Sequence, residues 1–348
     1  MIWTSLKKSL NCLIRMDKDL SPLVSVVIPI YKAEATLLSC IDSLIGQSYR
    51  PLELLFVDDC SPDRGAELVA SRTHELQERG IQVKLLRHPV NQGVAVARNT
   101  AFDAATGDYI YSVDADDELA PNTIELLVQR ALEAKCDIVG CEWLLKQGMS
   151  IRPMVQPEVR TGREAFEQCC KGLMRWNLWL FLIKRSLIET PEPLRFLPGK
   201  NMGEDMMLMG KLFQRADSVS IVHKPLYTYV RNDSSLTSSY SPQNWEQVDA
   251  NLKELESYIQ RAAGDASTLE LLQFLKLNLK LPLLITGKRQ DYDRWMSSYT
   301  EAHPFIARNT SISFRTKLLQ QMAAGRQYWF VVLYDRIVMK WLYKLLYH

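Results

Sequence analysis

The chain has 348 residues, of which 47% are hydrophobic and 24% charged, a composition of folded globular proteins long enough for one large domain with an appendage or for two domains. A formal net charge of +2, with no basic tract interleaved with aromatics in the first 240 residues, excludes a general nucleic-acid binder. Seven scattered cysteines without a CxxC pair, and five histidines without an HExxH pattern, suggest neither a zinc site nor a disulfide framework, and a reduced, cytosolic compartment fits them best.

Met1–Leu20 mixes Lys7, Lys8 and Arg15 with Ile2, Trp3, Leu6, Leu10, Leu13 and Ile14, so an amphipathic segment over 1–21 is expected rather than an export signal. No run of 18 uncharged apolar residues occurs, and a spanning helix is not expected. From Leu23 onwards strands and helices alternate. Leu23–Ile28 is a β-branched run closed by Pro29, and Ala33–Gln47 places Leu37, Leu38, Ile41, Leu44 and Ile45 at helical spacing. Leu52–Val57 reads as a second strand ending in Asp58 and Asp59, Asp63–Arg79 as a polar helix, and Val83–Leu86 as a third strand. An Ala-rich helix over Gly93–Ala105 leads through Gly107 to the strand Tyr109–Val113. A helix over Pro121–Ala134 and a strand over Ile138–Leu145 follow.

This alternation predicts an α/β fold with a largely parallel sheet flanked by helices, in which ligands bind beyond the carboxyl ends of the strands. Tyr31 and Glu34 follow strand one, Asp58 and Asp59 strand two, and Asp114-Ala115-Asp116-Asp117 strand four. Three carboxylates in four residues repel one another, and a divalent cation carrying a phosphate-bearing ligand is the usual relief. A solvated turn capping the next helix is the plain alternative. The absence of GxGxxG after strand one excludes a Rossmann dinucleotide site.

Further along, Gln147–Val159 reads as loop, followed by a helical Trp-rich region (Trp176, Trp179, Phe181) and the Pro-rich stretch Pro191–Pro198. Gly203-Glu204-Asp205 precedes an apolar helix over Met206–Phe213, Ser218–Val230 reads as strands, and residues beyond Ser241 as helices.

Taken in order, VVIPIY (26–31), SLIGQSY (43–49), VDDCSPD (57–63), NQG (91–93), ARN (97–99), GDYI (107–110), DADD (114–117) and GED (203–205) resemble family 2 glycosyltransferases of the bacterial polysaccharide type, with the nucleotide-diphospho-sugar-binding GT-A fold. The resemblance spans roughly Pro22–Ser238. It implies domains over 22–240 (GT-A) and 241–348 (helical, with a basic tail), and a donor site from Pro29, Tyr31, Glu34, Asp58, Asp59, Arg98, Asp114 and Ala115. Tyr31 would stack on the base, Asp59 with Asp58 would accept from a uracil N–H, Asp114 would hold the ribose, and Asp116 would ligate Mn²⁺ or Mg²⁺ on the diphosphate. Glu34 also reads as a first-turn helix acid, and Arg98 as half of a surface ion pair. Asp205, with Glu204 beside it, would be the general base of an inverting transfer, the alternative being a helix cap. Cys60 stands where the family often has glycine and Lys32 where asparagine is frequent.

The resemblance implies an enzyme that moves a sugar from a nucleotide-diphosphate donor, UDP above all, to a glycan or lipid-linked acceptor. A sugar nucleotidyltransferase and a catalytically silent membrane scaffold are the competing readings. Trp176 and Trp179 are candidates for acceptor contacts, or core. In the tail, Ser311–His348 carries six basic residues against Asp335, with Arg336, Lys340 and Lys344 on one stripe amid Trp329, Leu333, Ile337 and Trp341. That pattern suits a helix lying in a membrane surface, which the resemblance implies is the inner face of the cell membrane, or one packed on the catalytic domain or a dimer partner.

Overall fold

The run VSVVIPI forms β1 (Val24–Ile30), with six of its seven side chains buried. A strand apolar on both faces belongs in the middle of a sheet covered on both sides. β1 lies between β2 (Leu52–Asp58) and β4 (Tyr109–Ser112), parallel to both, and β3 (Ile81–Arg87) extends the parallel set beyond β2. The connecting helices are α1 (Leu37–Ile45), α2 (Gly65–Glu78) and α3 (Val94–Ala104). α1 buries Leu37, Cys40, Ile41, Leu44 and Ile45, the face its periodicity marked. The computed structural model describes residues 21–231, 242–262 and 264–337.

After β4 the chain makes the short strand β5 (Glu118–Leu119), α4 (Thr123–Ala134), β6 (Ile138–Gln147) and β7 (Ser150–Met154). α5 (Gly162–Cys170), a 3₁₀ turn at Leu178–Leu180, β8 (Phe181–Lys184), α6 (Arg185–Glu189), α7 (Glu204–Arg215) and β9 (Val219–Val230) follow. The sheet order is β3-β2-β1-β4-β8-β6-β9-β5, with β7 on β6. β8 runs antiparallel between β4 and β6, whereas β9 is parallel to β6, so the sheet is mixed beyond β4.

Two stretches differ from the sequence reading. The span read as loop contains β7, whose side chains are mostly exposed, so its formation rests on hydrogen bonds to β6 and not on an apolar face. The Trp-rich region is not a helix but the 3₁₀ turn and β8; its apolar run is short, and periodicity alone does not separate a buried strand from a buried helix.

The chain divides into two compact units, Met1–Gly162 with Trp176–Leu255, and Arg163–Arg175 with Glu256–His348. α8 (Pro242–Arg261) contributes its residues up to Leu255 to the first. The second contains α9 (Ala266–Lys280), α10 (Arg289–Ser297), α11 (Phe314–Ala324) and α12 (Tyr328–Tyr334). At its centre the Lys280 ammonium donates to the Ser298 carbonyl (2.7 Å) and lies 4.2 Å from the ring centre of fully buried Trp295, which stacks on His303. α12 buries Val331 and packs the Tyr328 ring at a tilt against Tyr292, 5.0 Å between centres, while Trp329, Leu333 and Ile337 are exposed. No helix among the described residues is long and apolar enough to cross a membrane. Residues 1–20 of the N-terminal segment, residues 232–235 of the stretch after β9, and Lys340, Trp341 and Lys344 lie outside the described residues.

Candidate active site

β1, β2 and β4 end side by side, with Ile30 opposite Asp58 and Val27 opposite Ser112, so the residues that follow them share one edge of the sheet. Pro29 lies in β1 opposite Val57, and Tyr31 just beyond is 46% exposed. Two tight turns shape this edge. Lys32 and Cys60 both adopt left-handed backbone (φ +53° and +54°), and the Lys32 N–H donates to the Ser61 hydroxyl at 2.8 Å. The family departures at these two positions therefore fall where glycine or asparagine is the easier residue. Glu34 accepts from both Nε (2.8 Å) and the terminal nitrogen (2.5 Å) of Arg64, whose hydrogen bonds hold its carboxyl below the usual range.

Asp58 engages one carboxylate oxygen with the Ser61 N–H (2.8 Å). Asp59 is buried and more fully occupied: it accepts from the Gln92 and Gly93 N–H groups (2.9 and 2.7 Å) and meets His88 Nδ1 at 2.7 Å. Asp59 thus holds the Asn91–Gly93 turn, whose Asn91 side chain donates back to its carbonyl. Gly93 has φ +89°, and a Cβ there would lie 2.2 Å from the Asn201 side chain.

The acids after β4 have separate surroundings. Asp114 pairs with Arg98 at 2.9 Å. The buried Ala115 gives its carbonyl to the Thr36 hydroxyl at 3.2 Å. Asp116 is partly exposed. Asp117 is fully buried, accepting from the Tyr227 hydroxyl (2.7 Å) and the Val230 N–H (2.8 Å); burial, then the charges of Asp114 and Asp116, push its carboxyl up to about 9.

Arg98 gathers these acids to the pair at the start of α7. One terminal nitrogen donates to Glu204 and Asp205, both at 3.0 Å, and the other to Asp114. Burial alone would discourage its charge, but Asp205, Asp114 and Glu204 outweigh that and hold its pKa above the ordinary arginine value. The second oxygen of Asp205 accepts from the Leu178 N–H at 3.1 Å. Burial raises the Asp205 carboxyl, opposed by Arg98. Burial and the neighbouring Asp205 push Glu204 up to about 8, so the pair holds a proton near neutrality. The pair occupies the first turn of α7 behind Gly203, and its side chains also reach Arg98 and the Leu178 N–H.

Among the described residues no group of three His, Cys, Asp or Glu side chains could by itself hold a metal ion. A magnesium-type ion needs only one or two carboxylates when substrate phosphates complete its shell. Asp114 and Asp116 are carboxylates of that kind, Asp114 also being paired with Arg98 at 2.9 Å.

Trp179 is buried against Tyr227 (4.3 Å between ring centres), Tyr229 and Trp143, whereas Trp176 is half-buried without such a ring partner among the described residues. Sequence reasoning missed His88 and Tyr227, which hold Asp59 and Asp117, and nothing in their sequence neighbourhood marks them.

The family model for glycosyl transferase family 2 matches residues 25–189. The chain is 32% identical over 230 residues to the uncharacterized glycosyltransferase EpsJ of Bacillus subtilis, a match covering 64% of this chain and 65% of EpsJ, just under two thirds of that relative's length. It is 35% identical over 245 residues to the glycosyltransferase GlyG of Streptococcus pneumoniae, covering 65% of this chain and 76% of GlyG. The solved structure of S. aureus TarS 1–349 in complex with UDP-GlcNAc superposes with a TM-score of 0.65 at 18% identity, over 90% of this chain and 91% of that one, a likeness of fold. The mixed sheet, the acids beyond its parallel strands and these relatives agree: the chain belongs to glycosyl transferase family 2 and has its GT-A fold.

Proposed function

We propose that the protein is an inverting glycosyltransferase that moves a sugar from a nucleotide-diphosphate donor, with UDP as the nucleotide, to a hydroxyl of a glycan or lipid-linked acceptor in cell-surface polysaccharide synthesis. The observation that carries this reading is the contact of one buried guanidinium, Arg98, with both Asp114 on the donor side and Asp205 at the start of α7. The UDP-GlcNAc and UDP complexes of TarS favour a uridine donor.

In this reading Tyr31 stacks on the base and Asp58 accepts from its imide N–H, while Asp59 fixes the turn beneath them. Asp114 faces the ribose, and Asp116 with Asp114 would hold Mn²⁺ or Mg²⁺. A bound cation would supply charge neutralisation to the departing diphosphate. Asp205 takes the proton of the acceptor hydroxyl as its oxygen bonds to the anomeric carbon and the bond to the nucleoside diphosphate breaks, inverting that carbon. Arg98 holds Asp205 ionised and aimed.

The cytoplasmic face of the membrane is the proposed place of action. Trp329, Leu333 and Ile337 recur every fourth residue and are all exposed, with Arg326 and Arg336 also exposed, a combination that suits an anionic lipid surface.

The test is a screen of nucleotide-sugar hydrolysis with Mn²⁺ or Mg²⁺, which needs no acceptor. UDP-sugar cleavage by the wild type, lost in Asp116→Asn together with cation-dependent UDP binding, is expected. Cation-independent UDP binding that is unchanged in Asp116→Asn would remove the metal assignment, and no cleavage of any nucleotide sugar would remove the activity.

A further inference from the structure

We infer that Asn251, with Gln247 one turn before it on α8, is a positioning residue for the base pair Glu204-Asp205; this rests on the transferase reading above. Asn251 is fully buried, and its side-chain amide donates to two main-chain carbonyls, Lys200 (3.2 Å) and Met202 (2.9 Å). The Gln247 side-chain oxygen accepts the N–H of the residue between them, Asn201, at 2.8 Å. Positions i and i+4 lie on one helix face, so two side chains of α8 hold the three peptides that lead into Gly203-Glu204-Asp205.

The backbone of that short segment is further constrained at Gly203. Gly203 is left-handed (φ +75°), and a Cβ on it would lie 3.4 Å from Val248, on the same stretch of α8. From the other side the Asn201 side chain accepts the Ala95 N–H (3.1 Å), in the first turn of α3, and Arg98 follows on the next turn. One segment therefore ties α8 to the base and to the guanidinium that the base must meet at 3.0 Å.

Asn251 is an unfavourable choice for its own helix. Its side-chain oxygen is buried without a hydrogen-bond partner among the described residues, and asparagine is a weak helix former. An apolar residue would remove that unpaired oxygen but leave the Lys200 and Met202 carbonyls without this donor, so the amide is matched to the base segment it holds. A shift of the base by a fraction of an ångström affects the step in which the acceptor proton moves while leaving the donor contacts of β1, β2 and β4 untouched.

The experiment compares Asn251→Leu, Gln247→Leu and Gln247→Glu with the wild type and with Asp205→Asn, measuring kcat and KM for the donor, UDP binding and thermal unfolding. The expected result is a kcat lowered about 10- to 100-fold in both Leu variants, with donor KM and UDP affinity within about twofold, and recovery in Gln247→Glu, which keeps the accepting oxygen. Wild-type kcat in the Leu variants, or a loss matched by an equal loss of folded protein or donor affinity, would overturn the positioning role. If Asn251→Leu does not fold, the Gln247 pair decides the question by the same criterion. Full activity of Asp205→Asn would instead defeat the base assignment itself, a result separable from failure of the α8 variants alone.

Discussion

Arg98 and Asp205 meet at 3.0 Å with the guanidinium nearly fully buried, although 107 positions separate them in the chain. A buried arginine that loses its partners, or partners that lose the arginine, leave uncompensated charge in a low dielectric. Arg98→Met should therefore destabilise the fold by about 3–5 kcal/mol in urea unfolding. Where protein folds, the acid limb of the pH–rate profile should move to higher pH, because the positive charge that lowers the Asp205 pKa is gone. Arg98→Lys keeps the charge but cannot span three carboxylates, and should fall between the two. An unshifted limb in both variants would separate Arg98 from the base.

Asp205→Asn should bind UDP and lose about 10²–10⁴-fold in kcat, the range for a missing general base. Because the base must be ionised, activity should rise with pH through the apparent pKa of the pair, which burial places above the ordinary aspartate value. With burial and Asp205 pushing Glu204 up to about 8, the proton the pair holds is expected on Glu204, and Glu204→Gln should then change kcat at pH 7 by no more than about threefold. If Glu204→Gln proves the more damaging change, the two roles are reversed.

Asp117 predicts a pH-dependent stability. Its carboxyl releases a proton near 3.8 in the unfolded chain and near 9 in the folded one. Between those values the folded protein holds the extra proton, so raising the pH favours unfolding and the stability present at low pH is lost as pH passes about 9. The melting temperature of the cation-free protein should fall from pH 6 to about 9 on this account, and Asp117→Asn should flatten that slope. Parallel curves for the two proteins would show that Asp117 is ionised in the fold.

Cys60→Gly should stabilise the protein by up to about 1 kcal/mol, the left-handed penalty of a side chain less the backbone entropy of glycine. Denaturant midpoints at constant m-value measure it, and a lower midpoint would mean that the Cys60 thiol, 3.7 Å from the Pro89 carbonyl, contributes more than the strain.

Replacing Trp329, Leu333 and Ile337 together with serine should weaken sedimentation with anionic vesicles without changing the melt, since their side chains are exposed while Val331 and Tyr328 hold the helix. Wild-type binding should also decline with salt. Binding that ignores both the substitutions and the salt would dismiss this face as a lipid surface.

Much of the parallel half of the fold was legible because β1, β2 and α1 carry undiluted apolar patterns, and the acids at their ends were legible because charge beside a buried strand is conspicuous. The joining of those acids was not. That Arg98 faces Glu204 and Asp205, rather than solvent, depends on tertiary closure across more than a hundred residues. Likewise the stack of Trp179 between β6 and β9 became core only through the pairing of strands that local sequence does not specify. Asn251 lies in an ordinary polar helix pattern, with nothing to distinguish a buried amide from a surface one.

The near contact between Gly93 and Asn201 bears on how defects in this protein would be interpreted. A methyl group at position 93 would strike the Asn201 side chain and through it the peptides ahead of Glu204. A loss-of-function allele there would map beside Asp59 at the sheet edge, yet its injury would fall on the segment ahead of Glu204 and Asp205. Because φ +89° is strained for any side chain, changes at position 201 that shorten the side chain would relieve the clash alone and suppress such an allele only in part, whereas changes around Asp58 would not relieve the clash at all. A genetic screen for second-site suppressors could therefore find the physical link between the two ends with no structure in hand.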